Sequence, residues 1–240
     1  MQGTGEGMAP ANSPEDKVRA LQRALYVAAK RNGQRKFHAL YDRIARPDVL
    51  RRAWERVREN KGSAGIDGET LEAVEAYRVE RMLAEVRELL VAGRYRPQAT
   101  RRVYIPKPGR PGERRPLSIP VVRDRVVQTA AKLVLEPIFE ADFLPCSFGF
   151  RPKRNQIQAL ELIRKTVNGG ARWVVEIDFR DFFGSIDMDL LVGLVANRVS
   201  DRRVHRLIRL WIKAGVVDAG EHHDTTTGVP QGGSMTPPTQ

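Results

Sequence analysis

The sequence has few of the features that stabilise secreted proteins or anchor proteins in membranes. It contains a single cysteine, Cys146, so an internal disulfide framework is excluded and a reducing compartment is favoured. No apolar run approaches the roughly 20 residues that a membrane-spanning helix needs. The N-terminus also lacks the basic and then apolar pattern of a signal peptide. These absences predict a cytoplasmic protein that has no membrane partner.

Histidine is scarce too, with four copies in the chain. His222 and His223 are adjacent, but no cysteine or third histidine stands at the spacing that zinc sites use. We therefore predict that both are surface residues and not metal ligands.

Acidic residues are outnumbered by basic ones. The chain has 41 Lys and Arg against 29 Asp and Glu, which gives a formal net charge of +12 at pH 7. This excess favours a polyanionic partner, most simply a nucleic acid. An acidic membrane would instead require a basic amphipathic helix or a lipid anchor, and the sequence shows neither pattern.

The first hundred residues are predicted to be a short tail followed by helices. Ser13 precedes a proline and two acids, which is the pattern of a capped helix start. The outer face of this first helix is basic. Such a face is most often simply exposed to solvent, and contact with RNA is the more specific alternative. The predicted elements are a disordered tail at 1–12, helices at 13–30, 37–44 and from 48, a loop with three glycines at 60–68, and a long helix at 70–92.

Residues 101–120 change in character and predict a β-hairpin. Alternating residues at 102–107 and a second short run at 114–120 flank a turn rich in proline and glycine. Lys107 and Arg115 could reach a phosphate from this hairpin. Without a neighbouring site, two exposed hairpin cations are an equally good interpretation.

A helix at 122–137 and another at 155–167 enclose the short aromatic segment FGFRP. An aromatic ring beside Arg151 could stack on a base or a sugar. Packing into the core is the more common role for Phe148 and Phe150, and it is less common for the arginine.

The stretch at 173–189 carries the strongest chemical signal. Its apolar start predicts a buried strand at 173–177, on which Glu176 and Asp178 would share a face. An acid at the end of a buried strand is costly unless a cation or donors meet it, so Asp178 is a candidate metal ligand beside Phe182 and Phe183. The alternative is that Asp178 caps the following turn. Two helices are predicted after it, at 189–199 and 201–213, and then a polar loop at 219–227.

Six segments together resemble bacterial group II intron reverse transcriptases, and they occur in that family's order over residues 18–237. The segments are GSAGIDG (62–68), RRVYIPKPG with RRPLSIP (101–109, 114–120), VRDRVVQ (122–128), SFGFRP (147–152), VVEIDFRDFFGSID (174–187) and GVPQGG (228–233). The resemblance implies an α+β fold: the fingers and partial palm of a right-hand polymerase, preceded by a helical N-terminal extension. The implied parts are the tail at 1–12, the extension and start of the fingers at 13–100, the fingers at 101–170 and the partial palm at 171–240.

The resemblance also assigns roles to single residues. Asp178 matches the first catalytic aspartate, which ligates two Mg²⁺ ions, and the backbone carbonyl of Phe179 would complete the shell of the second ion. Phe183 matches the aromatic that selects deoxynucleotides. The remaining implied contacts are Arg115 and Lys107 with the incoming triphosphate, Gln231 with the nascent base pair, and Lys61 and Arg151 with nucleic acid.

The implied partners are an RNA template and a DNA primer, with intron RNA as a further candidate. Such an enzyme is an RNA-directed DNA polymerase. A non-catalytic RNA-binding remnant is the alternative in a different class, and retron, diversity-generating and CRISPR-associated reverse transcriptases share the palm.

Three positions depart from the family's pattern, which usually has Gly at Asp181, Asp at Gly184 and His at Met188. In addition, the sequence given has no counterpart of the family's Tyr-x-Asp-Asp hairpin, which carries the other metal-binding aspartates. We therefore expect no polymerisation by these 240 residues alone. We also expect an unpaired strand edge at 173–177 and partial folding.

Overall fold

Helices form most of the first half of the chain, and a small sheet joins that half to the second. The structure is a computed structural model that describes residues 13–107, 109, 112–225 and 228–229. The predicted tail at 1–12 and Gln231 lie outside these residues. The helices are α1 Pro14–Arg31, α2 Tyr41–Ile44, α3 Pro47–Glu59, α4 Leu71–Tyr77, α5 Val79–Val91, α6 Val122–Glu140, α7 Gln156–Asn168, α8 Met188–Ala196 and α9 Arg202–Ile212; the strands are β1 Thr100–Pro106, β2 Arg114–Ile119, β3 Val216–Asp218 and β4 Glu221–His223.

Helix α6 is the centre of the core. Fourteen of its 19 residues are buried, and α1 and α3 pack against it. Helix α1 begins as predicted, because the Ser13 hydroxyl accepts a hydrogen bond from the backbone N–H of Asp16 at 3.1 Å. Part of the core is thus made by apolar stripes that the sequence already shows.

The sheet has the strand order β2-β1-β3-β4 in the described part of the chain. The predicted hairpin is confirmed: β1 and β2 are antiparallel, with Ile105 opposite Arg115. Strand β1 also pairs in parallel with β3, with Thr100 opposite Val216. The predicted α+β class is therefore confirmed. No helix among the described residues is both long and apolar enough to cross a bilayer.

The long helix predicted at 70–92 is wrong as a single element. Thr70 caps α4 as its sequence suggests, but Arg78 has a φ of 81° and separates α4 from α5. The hydroxyl of Tyr77 donates a hydrogen bond to Glu85 at 2.7 Å. In a straight helix these residues would be about 12 Å apart along the axis, so the break allows this contact.

Two other local predictions are also corrected by long-range pairing. Only Tyr41–Ile44 of the helix predicted at 37–44 forms, because Phe37 makes a parallel bridge with Val199 instead. The polar loop predicted at 219–227 instead contains a tight turn at 219–220 and strand β4. Ala219 and Gly220 have φ values of 49° and 92°, the left-handed pair that a two-residue hairpin turn requires. The exposed positions of His222 and His223 are confirmed.

Candidate nucleotide and nucleic-acid site

The segment that precedes Asp178 is exposed and has no regular structure. Trp173 is 94% exposed and Ile177 is 78% exposed, so the predicted buried strand at 173–177 is wrong for this structure. A strand must pair its N–H and C=O groups with a neighbour. The described residues place no strand beside this segment, so its apolar side chains have no sheet to join.

The side chain of Asp178 is exposed like the segment that carries it. Among the described residues it has no hydrogen-bond or ion-pair partner, so the turn-capping interpretation has no support there. No group of three His, Cys, Asp or Glu side chains within the described residues could hold a metal ion. A single carboxylate is nevertheless compatible with Mg²⁺, which binds one or two carboxylates and completes its shell with water and substrate phosphates.

An aromatic turn follows Asp178 directly. The rings of Phe179 and Phe182 have centroids 6.0 Å apart, and those of Phe182 and Phe183 pack edge to face at 5.4 Å. Phe183 is half-buried. The backbone N–H of Ser185 donates to the carbonyl of Asp181 at 3.0 Å and closes the turn. The aromatic rings that follow Asp178 in sequence therefore pack against one another in a turn.

The beginning of the GVPQGG segment lies against this aromatic turn. The N–H of Gly228 donates to the carbonyl of Ile186 at 3.1 Å, and the N–H of Val229 donates to the carbonyl of Phe183 at 2.9 Å. Gly228 has a φ of 74°, and a Cβ added to it would be 2.8 Å from the Cα and carbonyl oxygen of Gly184. This approach needs glycine at 228. The fold thus brings together residues that are 42 and 46 positions apart in sequence.

The basic hairpin supplies the predicted phosphate-binding side chains. The ammonium of Lys107 pairs with the Glu113 carboxylate at 2.8 Å, and Arg115 is half-buried on β2. Tyr104 ties β1 to β3, because its hydroxyl donates to Asp218 at 2.5 Å. Lys107 and Arg115 make no hydrogen bond or ion pair with the described residues of the segment at 171–187.

The exposure of Phe150 and Arg151 is the opposite of what the sequence predicts. Phe150 is 68% exposed, whereas the Arg151 side chain is 7% exposed. The guanidinium donates to both carboxylate oxygens of Glu140 and to the carbonyls of Leu144 and Ser147 at 2.7–2.8 Å. The prediction that Phe150 packs into the core is therefore wrong. Arg151 has a structural role and keeps only one N–H for any nucleic acid, so its contact with nucleic acid stays an untested prediction.

The glycine-rich loop around Lys61 is held by two arginines that sequence reasoning did not single out. Arg101 donates to the carbonyl of Ala64 at 2.7 and 3.1 Å, and Arg125 donates to the carbonyl of Ser63 at 2.9 Å. Burial lowers the pKa of Arg125. Lys61 itself is exposed. For Arg125 the sequence signal is the RDR of the VRDRVVQ segment, and this pattern does not reveal which of its two arginines is buried.

A buried polar network lies behind the start of α6, and it too was missed. The carboxylate of Asp124 accepts from the hydroxyl of Tyr95 at 2.6 Å and from the N–H of Gln98 at 2.8 Å. Trp211 donates to the same hydroxyl at 3.2 Å. Burial raises the pKa of Asp124 to about 6, although both hydrogen bonds act against that rise. The network joins α6 to α9.

Comparison with known proteins identifies the family of this chain. Residues 105–239 match the reverse transcriptase (RNA-dependent DNA polymerase) family, which is more than half of the chain. The chain belongs to the reverse transcriptase family. It is 36% identical over 226 residues to protein YkfC of Escherichia coli strain K12, covering 92% of this chain and 58% of that protein. It is also 36% identical over 203 residues to the group II intron-encoded protein LtrA of Lactococcus lactis subsp. cremoris, covering 84% of this chain and 33% of that protein.

A solved structure has a similar fold. A chain of the partial Cas6-RT-Cas1–Cas2 complex superposes with a TM-score of 0.54 at 24% identity, covering 82% of this chain and 32% of that chain. This likeness concerns the fold alone and confirms the expected reverse transcriptase fingers and palm. The match to LtrA supports the group II intron type over the CRISPR-associated type, because its sequence identity of 36% is higher than the 24% of the Cas6-RT-Cas1–Cas2 chain.

Two departures from the usual reverse transcriptase pattern lie against each other in the aromatic turn. Asp181 has a φ of 46°, a conformation that suits the family's usual glycine better. A Cβ at Gly184 would collide with the Asp181 carboxylate. In this structure the carboxylate at 181 therefore fills the space that a side chain at 184 would need.

Proposed function

We propose that these residues form the fingers and partial palm of an RNA-directed DNA polymerase of the group II intron type, with Asp178 as its first metal-binding carboxylate. The observation that carries the proposal is the contact of Gly228 and Val229 with the aromatic turn that follows Asp178. It supports a shared site because Gln231 stands two residues after Val229, so a nucleotide held there would lie near Phe183. The boundaries of extension, fingers and palm are part of this proposal.

Each side chain has a role in the proposed site. Asp178 and the carbonyl of Phe179 would hold Mg²⁺, which when bound stabilises charge on the attacking and leaving oxygens of phosphoryl transfer. Phe183 would limit the space beside the sugar. Arg115 and Lys107 would neutralise the triphosphate, and Lys107 would exchange its Glu113 partner for phosphate.

The rest of the surface would hold the nucleic acid. The net charge of +12 supports binding of an RNA–DNA duplex through its phosphates and not its sequence. Lys61 would contact the template from a loop that Arg101 and Arg125 fix to the protein. Arg151 is left out of the proposed contacts because its side chain is occupied by Glu140 and two carbonyls.

A non-catalytic RNA-binding protein is the second candidate function. It is favoured by the exposed, unpaired segment at 173–177, since a precise two-metal site needs rigid support. Both candidate functions include nucleic-acid binding, but only the first includes nucleotide addition.

Primer extension on an RNA template with Mg²⁺ tests these proposals, alongside binding of the same duplex. For the 240-residue polypeptide we expect binding of the duplex without extension. Extension that Asp178→Ala abolishes would refute the inactivity of this polypeptide and exclude the second candidate. Absence of duplex binding at low salt would overturn both.

A further inference from the structure

A small pocket lined by arginines lies between the end of α5 and the start of α9, away from the segments assigned above. It has a volume of about 100 Å³ and contains the side chains of Arg96, Arg203 and Arg206. Its floor includes Tyr41, which is buried and donates its hydroxyl to the carbonyl of Leu90 at 2.9 Å. The pocket is therefore a cationic opening above a rigid base.

Two of the three guanidiniums are held in position by the protein. Arg203 forms a two-pronged pair with Asp42 at 2.7 and 2.8 Å, and its guanidinium lies 4.8 Å from the centre of the Tyr41 ring. Arg96 donates to the carbonyl of its neighbour Tyr95 at 2.8 Å. Such positioning lowers the entropy that an incoming anion would cost.

Arg206 is the unmatched charge of the group. It is exposed, and it has no hydrogen-bond or ion-pair partner among the described residues. Burial raises the pKa of Tyr41, and the positive charges of Arg203 and Arg206 oppose that rise, so both act on the same phenol. Two carboxylates, Asp42 and Asp201, both face Arg203. The three arginines outnumber them, so the pocket keeps a net positive charge.

The positive surface continues beyond the pocket. The bridge between Phe37 and Val199, and the hydrogen bond from the N–H of Tyr41 to Asp201 at 2.9 Å, bring the segment after α1 beside the start of α9. The end of α1, that segment and α9 add four exposed cations: Arg31, Arg35, Lys36 and Arg202. Several exposed cations on neighbouring segments fit the repeated phosphates of a nucleic acid better than they fit one small anion.

We propose that the pocket of Arg96, Arg203 and Arg206 binds a backbone phosphate of RNA, and that Arg206 makes the principal contact. Guanidinium groups bind phosphate oxygens through paired N–H donors, and they read no sequence. The inference rests on the proposed function, because it supplies an additional contact for the RNA that the polymerase fold would hold.

The test is the affinity of the chain for a fluorescently labelled RNA hairpin, measured over a range of salt concentrations. For Arg206→Gln we expect about three- to tenfold weaker binding, and a slope of log K against log salt that is smaller by about 0.7 to 0.9, the value of one phosphate contact. Arg206→Lys should recover part of the loss because it restores the charge without the fork. Arg164→Gln is the matched control: Arg164 is exposed and paired with Glu161 at 2.7 Å, so its loss should change affinity less than twofold.

The outcomes separate this inference from the proposed function. Equal affinity and equal salt slopes for Arg206→Gln and Arg164→Gln would overturn the pocket proposal alone. If the unmodified chain does not bind RNA, the proposed function fails as well. Orthophosphate at matched ionic strength is the probe for a free ion: if it raises the melting temperature of the unmodified chain but not of Arg206→Gln, and RNA affinity is insensitive to Arg206, the pocket takes a free anion and the RNA proposal is wrong.

Discussion

The hydroxyl of Tyr95 joins two groups that are both removed from water, and its removal has a calculable cost. In Tyr95→Phe, the carboxylate of Asp124 loses a 2.6 Å hydrogen bond and the indole N–H of Trp211 loses its acceptor. A hydrogen bond to a charged group is worth about 1.5–3 kcal/mol, and a buried unpaired donor costs about 1–3 kcal/mol. We expect the free energy of unfolding to fall by about 3 kcal/mol near neutral pH.

The cost should depend on pH in a definite direction. The pKa of Asp124 is raised to about 6 in the folded state, so the folded state binds the proton more tightly than the unfolded state does. Stability from this group therefore falls as pH rises through the interval between its ordinary value of 3.8 and about 6. Two pKa units correspond to about 3 kcal/mol. Without Tyr95 the pKa rises further, so Tyr95→Phe should cost less at about pH 5 than at about pH 8.

Urea unfolding at these two pH values measures both effects, and Tyr104→Phe is the matched control. Tyr104 also donates to an aspartate, Asp218, but its side chain is exposed, so we expect a loss below about 1 kcal/mol that does not change with pH. If the two substitutions cost the same, or if the cost of Tyr95→Phe is independent of pH, the buried network does not have the energetics described.

Three further predictions concern the packing around the site. Gly228→Ala should loosen the contact with the aromatic turn and weaken duplex binding, whereas Gly220→Ala, also at a positive φ (92°) but with open space around it, should leave binding unchanged. Arg151→Lys should lower the melting temperature more than Arg154→Lys, because only Arg151 is clamped by a carboxylate and two carbonyls; equal shifts would contradict that role. Amide exchange measured by mass spectrometry should be fast in α7, which has no buried residue, and slow in α6; similar protection of both would show that α7 is packed in solution.

Sequence reasoning succeeded where the determinants are local. The cap at Ser13, the hairpin around residues 107–113 and the helix that became α6 each depend on residues close together in the chain. The capping box at Asn155 likewise lies at the helix start predicted for α7. Segment order was sufficient to indicate the family, because six motifs in sequence specify a lineage more strongly than any one of them.

The errors have a common physical cause, which is pairing between distant residues. The segment at 173–177 has the composition of a buried strand, but a strand forms only beside a partner, and composition does not supply one. The bridge of Phe37 with Val199 overrode a helical pattern for the same reason. The sequence also does not show which charged groups are buried: it does not distinguish the buried Arg125 from the half-buried Arg123 half a turn away.

The role of Asp178 is tested most directly by divalent cation binding in the presence of a deoxynucleoside triphosphate. Mn²⁺ takes the same oxygen ligands as Mg²⁺, and paramagnetic resonance distinguishes its bound and free forms. We expect Asp178→Asn to bind the Mn²⁺–nucleotide at least about tenfold more weakly than the unmodified chain. Asp189→Asn, whose side chain is 92% exposed on the same acidic stretch, should bind it normally. Equal binding by Asp178→Asn and Asp189→Asn would contradict the assignment of Asp178 as the metal-binding carboxylate.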